Sequence, residues 1–435
     1  MNSKKKRVWC ILGIVKTAGF NFQVLAMLIA GPHISQKAVL LIAPQPFFLQ
    51  RGTPINVRAM AAALAKVGYE VDLLVFPLGN DVQTDGVRVH RSWGVPGIRS
   101  VPIGPSWRKL VLDLFLFLKA VSLVLRKRYA AVQGIEEGGF MAWFLGTLTR
   151  TPSIFDMDSC MVSQLESSGF VRSNFLLRWL SSIEMFCIKR SSAVITVCQA
   201  LTEKVRAFAP NSRIYQIEDF PLEGLETRDP TLLDALRAKF NLTGKKNILY
   251  TGNFESYQGL DLLLEAFASV ALRLRDLPAP TQLVLVGGDS EQIARYKKKA
   301  RDLQIDAQVV FTGMRPAEEM GAFMEIADVL ASPRLHGSNT PLKLYSYMAM
   351  GKAIVATDIA SHTQVLTVDS AFLAAPRAHE YGAALAEALE SSASQTRALR
   401  AKELVETKYS KKCFEEKLTA LYSELVGPPV IGVTP

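Results

Sequence analysis

Residues 331–358 read ASPRLHGSNTPLKLYSYMAMGKAIVATD. A polar loop carrying Arg334, His336, Gly337, Ser338 and Asn339 runs straight into Thr340-Pro341. Thr is a good N-cap and Pro suits the first helical position, so the spelling predicts a helix from Pro341 to about Met350. Gly351 is its natural stop, and 353–357 reads as the buried strand that follows. Lys343 falls in the first turn, where unpaired N–H groups and the helix dipole already favour negative charge. A cation there is unfavourable unless an anion lies close. Loop, helix start, Lys343 and Arg334 together spell a cradle for a phosphate or diphosphate. The plainer alternative is an ordinary capped helix with a solvated lysine.

Strand, loop, helix, strand is the unit of a parallel sheet, and the rest of the chain repeats it. AVLLIA at 38–43 is a first strand. A loop ending in Gly52 and Thr53 leads from it to a second Thr-Pro helix start, a helix at 55–67 and a strand at 71–76. Strands follow at 130–134, 152–155, 193–197 and 214–217, and a charged, turn-rich stretch then interrupts the rhythm. The rhythm restarts at 247–251, with a polar loop at 252–259 that opens on Gly252-Asn253. Further strands are expected at 283–286, 309–311 and 329–331. The resulting division is an N-terminal extension (1–37), a first βα-repeat domain (38–222) and a linker (223–246). A second βα-repeat domain (247–405), a C-terminal helix expected to pack back on the first domain (406–426) and a tail (427–435) complete it. Each half has a glycine-containing helix start, and two such halves can face one another across a cleft. No GxGxxG dinucleotide fingerprint is present.

Composition narrows the partners. The 435 residues are 49% hydrophobic and 21% charged, which is globular, and long enough for two cores. A net charge of +10 suits an anionic membrane face or an anionic small substrate. Without zinc spacing or an aromatic RNA-binding string, nucleic acid is not expected. The five cysteines are scattered and make no CxxC pair, which argues against a metal site or disulfide framework. Lys4-Lys5-Lys6-Arg7 precede an apolar stretch, the outline of a signal or anchor, yet Lys16, Asn21, Gln23 and His33 interrupt it. The apolar run 110–125, with basic residues on both flanks, could lie on an anionic bilayer; the plainer expectation is a helix packed on the sheet. Glu136 and Glu137, just past a strand end, signal a cleft. Asp156-Met157-Asp158 invites a metal reading, but a strand-end Asp often caps the next loop, and no metal is assigned.

The order of these pieces resembles the GT-B glycosyltransferases, in particular the retaining family 4, over about residues 38–422. In that family the second half carries a Gly-Arg-x4-Lys-Gly loop, a Gly-Gly strand end, an F-x-G strand and a Glu-x7-Glu stretch. Here Gly252 to Gly259 has the loop's length, Gly287-Gly288 the strand end and Phe311-Thr312-Gly313 the third piece. Met350-Gly351-Lys352-Ala353 onward is similar to the last. The departures are specific. Asn253 and Gln258 replace the loop cations, Ser338 and Ser346 replace both glutamates, and Gln133 stands where a His is common. The chain looks like a sub-branch spelled N-T-P-x-K, in which Arg334 and Lys343 take over from the lost loop cations.

The resemblance implies an α/β GT-B fold of two Rossmann-like domains facing across a cleft. It also implies transfer of a sugar from a nucleotide diphosphate sugar to an acceptor hydroxyl, with retention. Lys343, Arg334, Glu136 and Asp156 are the candidate catalytic residues. Gly52, Thr53, Gly252, Asn253, His336, Gly337, Ser338, Asn339, Thr340 and Ser346 are the candidate donor-binding ones. No cofactor is expected, since the nucleotide sugar is a co-substrate. A glycan or lipid-linked acceptor and a cytoplasmic location, with peripheral contact at the inner face of the membrane, complete the expectation. A nucleotide-sugar 2-epimerase on the same fold, or a degenerate binder without turnover, are the alternatives.

Overall fold

In a computed structural model of the chain, the described residues are 38–48, 52–102, 106–162, 165, 173–225 and 229–428. The expectations for 1–37 and for the end of the tail lie outside them.

The first half comprises β1 (Ala38–Ala43), α1 (Gly52–Lys66), β2 (Glu70–Val75), β3 (Val87–Arg91), α2 (Trp107–Arg126), β4 (Ala131–Ile135) and α3 (Gly138–Thr149). It continues with β5 (Ser153–Met157), α4 (Asn174–Arg190), β6 (Ala193–Thr196), α5 (Gln199–Phe208) and β7 (Ile214–Gln216). Its strands form one parallel sheet in the order β3-β2-β1-β4-β5-β6-β7. Strand side chains alternate between faces, and parallel register keeps paired residues on the same face. Val39, Leu41 and Ile154 therefore pack with α1 on one side. Leu40, Ile42, Val132 and Phe155 face α2, α3 and α4 on the other.

Helix α6 (Pro230–Phe240) follows, capped by Asp229, and Leu236 packs into the core of the second half. That half comprises β8 (Lys246–Thr251), α7 (Leu260–Val270), β9 (Thr281–Val286), α8 (Ser290–Asp302), β10 (Val309–Gly313), α9 (Met320–Ile326) and β11 (Val329–Ser332). It continues with α10 (Leu342–Ala349), β12 (Ala353–Thr357), α11 (Ala360–Thr363), β13 (Phe372–Ala374), α12 (Ala378–Glu390) and α13 (Ala393–Lys408). Its parallel sheet runs β10-β9-β8-β11-β12-β13. Helix α14 (Lys411–Val426) then returns to the first half, where Phe414, Leu418, Leu421 and Tyr422 enter the core beside α1.

Several boundaries move from the sequence reading. Pro341 is the N-cap of α10, with ψ 128°, so the helix starts one residue later than expected. Thr340 does not cap it. The first helix begins at Gly52 rather than at 55, which draws Thr53 into its first turn. The C-terminal helix expected over 406–426 begins at Lys411, after a break from α13 at Tyr409-Ser410, where Ser410 accepts from the Cys413 amide. Strands β3 and β13 and helix α3 had no distinct signal. The first has one polar residue in every two and is only half-buried; the second has three residues.

Candidate active site

In open parallel sheets, ligands lie beyond the carboxyl ends of the strands, where the strand order reverses. In the second sheet that point falls between β8 and β11. The loops leaving those strands hold residues 252–259 and 333–341, the two segments the sequence singled out. In the first sheet it falls between β1 and β4, whose trailing loops lead to Gly52-Thr53 and to Glu136-Glu137.

Lys343 lies in the first turn of α10, with its chain directed back to the β8 loop. Its ammonium donates to the Thr251 carbonyl (3.3 Å) and to Gln258 Oε1 (3.2 Å). It sits 4.0 Å from the centroid of the Tyr250 ring. Gly252, at φ +139°, lies beside it: a side-chain carbon there would sit 3.1 Å from the Tyr250 hydroxyl and 3.7 Å from Nζ. Arg334 is 8% exposed. It donates from Nε to the His336 carbonyl (2.7 Å), from Nη1 to the Asn339 carbonyl (3.1 Å) and from Nη2 to Asn339 Oδ1 (3.2 Å). Its guanidinium lies over the Tyr257 ring at 5.4 Å. These bonds use about three of its five N–H groups and shape the loop around them. Gly337 is required here: its φ is +135°, and a Cβ would meet Arg334 Nη2 at 2.1 Å.

Among the described residues neither cation has a carboxylate partner. Burial, then the charge of Arg334, pushes the Lys343 pKa well down. Burial also lowers Arg334, against the Tyr257 and Tyr250 rings. Asp72 in the first half shows the ordinary solution for a buried ion: His90, Lys127 and Tyr129 all lie within 3.0 Å. Two buried cations with only neutral partners make a site that gains from an arriving anion.

The remaining loop residues set its position. His336, Gly337 and Ser338 are exposed, whereas Thr340 is buried. Asn253 accepts from the Tyr250 hydroxyl through its carbonyl (2.6 Å), and its Oδ1 caps the Glu255 amide. Gln364 Nε2 donates to the Ser338 carbonyl (3.0 Å) and to Thr340 Oγ1 (3.4 Å). Gln364 Oε1 accepts from the Ala200 amide of the first half (2.9 Å). Ser346 is 1% exposed and its Oγ accepts from the Leu222 amide (3.1 Å) at the passage between halves. His362, which had no local signal, closes the floor: its ring nitrogens meet Ser332 Oγ (3.1 Å) and the Thr357 carbonyl (2.9 Å). Burial, with Lys343 and Arg334 nearby, lowers it to about 4, so the ring is neutral.

The facing half supplies carboxylates. Thr53 Oγ1 donates to Asp158 Oδ2 (2.7 Å), which joins the α1 start to the end of β5. Asp156 is 3% exposed and accepts from Gln133 Nε2 (2.7 Å). Gln133 Oε1 in turn accepts from the Tyr422 hydroxyl of α14 (2.6 Å). Glu136 accepts from Ser159 Oγ (3.0 Å) and lies 3.9 Å from Lys109, which meets Glu137 at 2.5 Å. Burial, then the neighbouring Asp158, raises Asp156 to about 8; burial, then Glu136, raises Asp158 to about 6. Asp219 after β7 is raised by burial and by these two acids, and its charge bears on Tyr345 of α10. The loops of the second half thus carry the two buried cations, and the strand ends of the first half carry the acids together with Lys109. Among the described residues no cluster of His, Cys, Asp and Glu is arranged to hold a metal ion.

Residues 51–218 match the family described as "Glycosyl transferase 4-like domain", and residues 245–392 match "Glycosyl transferases group 1". A phosphatidyl-myo-inositol mannosyltransferase of Mycobacterium tuberculosis is 27% identical over 161 residues, 36% of this chain and 40% of that protein. The chain thus spans less than half the length of that relative. Sucrose-phosphate synthase of Thermosynechococcus elongatus superimposes with a TM-score of 0.70 at 19% identity, covering 89% of this chain and 98% of that one. HepE of Anabaena in complex with UDP gives a TM-score of 0.68 at 14% identity, covering 89% of this chain and all of that one.

Proposed function

With its two matched domains placing the chain among the GT-B glycosyltransferases, we propose that it moves a sugar, with retention, from a nucleotide diphosphate sugar to a glycan or lipid-linked acceptor hydroxyl. The carrying observation is the pair Lys343 and Arg334, held at the switch point of the second sheet with no counter-ion among the described residues. The contact of Lys343 with Gln258 supports the idea that its ammonium stands in for the cation that position carries in family 4. A bound UDP in the Anabaena structure and a phosphatidylinositol acceptor in the mycobacterial relative's name favour this donor and acceptor class.

The chemistry follows from charge. The bond from the anomeric carbon to the diphosphate oxygen breaks, and its electron pair stays on that oxygen. The sugar becomes oxocarbenium-like and positive. Lys343, Arg334 and the N–H groups near the α10 start stabilise the departing diphosphate, whose charge grows in the transition state. The acceptor hydroxyl attacks the face the diphosphate is leaving, and its proton passes to the departing phosphate oxygen. Configuration is retained without a protein nucleophile. The acids of the first half, with Asp156 protonated up to about pH 8, are the groups offered to the sugar and the acceptor. Leu222, Ala200 and Cys198 contact the second half directly, an arrangement that favours water exclusion. The reading includes a cytoplasmic location, peripheral contact with an anionic membrane and no nucleic-acid partner.

Lys343→Ala tests it in a transfer assay. The expected loss in kcat/KM is about 10²–10³-fold, the size seen when one preorganised charge stabiliser is removed. Turnover within threefold of the parent with every donor would refute the leaving-group role.

A further inference from the structure

We propose that α2, α3 and α4 form a docking surface for an anionic lipid bilayer. The proposal rests on the lipid-linked acceptor reading for its purpose, but its test does not.

Helix α2 is apolar on two opposite sides. Leu112, Leu116, Ala120 and Val124 are buried against the sheet. Trp107, Leu110, Leu114, Leu118 and Leu125 are exposed. At 100° per residue the exposed five fall within an arc of about 80°. Helix α4 repeats the pattern with Phe175, Trp179 and Phe186, and α3 between them adds Phe144. Ring contacts join the three: Phe117 to Phe144 at 5.6 Å and Trp143 to Phe186 at 5.3 Å. The sheet register puts all three helices on one face, so their outer sides make one surface. The second half exposes only scattered large apolar residues, such as Leu272 and Met314. A face this apolar on a water-exposed helix signals a partner.

Charge selects the occupant. Arg108, Arg126, Arg178, Lys189 and Arg190 are exposed beside the apolar stripes. The Arg190 guanidinium lies 5.0 Å from the Phe186 ring, and that of Arg108 lies 5.8 Å from the Trp107 ring. The carboxylates on these helices, Asp113 and Glu184, are turned inward: Asp113 Oδ1 has no solvent access and Glu184 is 1% exposed. Trp, Phe and Leu stripes with Arg and Lys at their edges match the headgroup boundary of an anionic membrane. No described helix is long and apolar enough to cross a membrane, so the contact lies on the surface. The face also reaches the acceptor side of the cleft. The link runs through the N-terminal end of α2: Lys109, two residues from the exposed Trp107 and on the opposite side of the helix, meets Glu136 and Glu137.

The test is co-sedimentation of the full chain with phosphatidylcholine vesicles and with phosphatidylcholine–phosphatidylglycerol vesicles. Binding is expected to the mixed vesicles, at least about tenfold stronger than to the neutral ones, and to weaken with salt. Trp107→Ser with Trp179→Ser should cut it about tenfold at unchanged thermal stability, since both side chains are exposed. Arg178→Ala and Arg190→Ala should each cost about fivefold on the mixed vesicles only. Leu272→Ser with Met314→Ser should change nothing. No binding to either vesicle overturns the proposal. So does binding that the helix variants leave intact, which would assign it to another segment such as the basic residues 4–7. So does self-association abolished by the same variants without vesicle binding. The same proteins are examined for a thermal shift with nucleoside diphosphates. A parent that binds vesicles but shows no shift contradicts the transfer reading and leaves this surface standing.

Discussion

At the scale of single residues, Lys343 and Arg334 were legible because each breaks a local rule. A lysine in a first helical turn and an arginine in a loop of small polar residues both ask for an anion. Their neutral backing was not legible, because Tyr250, Tyr257 and Gln258 reach them from another strand end. Asp156 shows the converse. Its DxD spelling suggested chemistry, yet its carboxyl is held by Gln133 and shadowed by Tyr422, which lies 289 positions from Gln133. No spacing rule spans that distance. The burial has a measurable consequence. With a pKa raised to about 8 from an unfolded 3.8, the folded state keeps a proton that the unfolded chain gives up. Stability from this group is intact below about pH 4, falls as pH rises towards 8, and stays lost above it. Asp156→Asn removes the ionisation. Its advantage over the parent in thermal unfolding should therefore grow between pH 5 and pH 8, by about 3–4 kcal/mol. An advantage independent of pH would contradict this account of Asp156.

At the scale of elements, the βα rhythm and both helix starts could be read from apolar runs ended by glycine, while the boundaries moved by one to three residues. The N-cap shift at Pro341 has a cause: Thr340 is buried and its hydroxyl is engaged by Gln364, so it is not free to cap. Ser346 has a similar history. The family resemblance implied a donor-binding position for it, and the structure uses its hydroxyl to fasten Leu222. For helix α2 the sequence offered two readings, lying on a bilayer or, more plainly, packed on the sheet; one side does pack, and which residues form the exposed second stripe is invisible in a sequence that is apolar almost throughout. The loop before α10 carries its own prediction. In Gly337→Ala the new carbon would overlap the guanidinium of Arg334, forcing it off Tyr257 and Asn339. Loss of one or two charge-assisted hydrogen bonds should weaken nucleoside diphosphate binding about tenfold or more in calorimetry. The strained φ should cost about 1–3 kcal/mol of stability. Unchanged affinity would show that Arg334 does not need this pose.

At the scale of the whole molecule, two parallel sheets present their switch points to each other, with the two buried cations on one side and the acids together with Lys109 on the other. The N-terminal half also carries the amphipathic outer face. The charged, turn-rich stretch 223–246 marks the passage between the halves, and Leu225, Leu236 and Leu242 within it pack in the core of the second. Helix α14 returns to the first core, where Tyr422 meets Gln133, a link that no spacing in the sequence announces. The account stands on the cationic pair gripping a diphosphate between the lobes. The most direct measurement is thermal unfolding of the parent and of Lys343→Met, with and without nucleoside diphosphates. The parent should gain stability with at least one of them, about 2.7 kcal/mol at a hundred times the dissociation constant. Lys343→Met should unfold no earlier than the parent when unliganded, because it deletes a buried charge with no counter-ion among the described residues, and it should lose the ligand's effect. A variant that keeps the full shift, or a parent that shows none with any nucleoside diphosphate, would contradict the account.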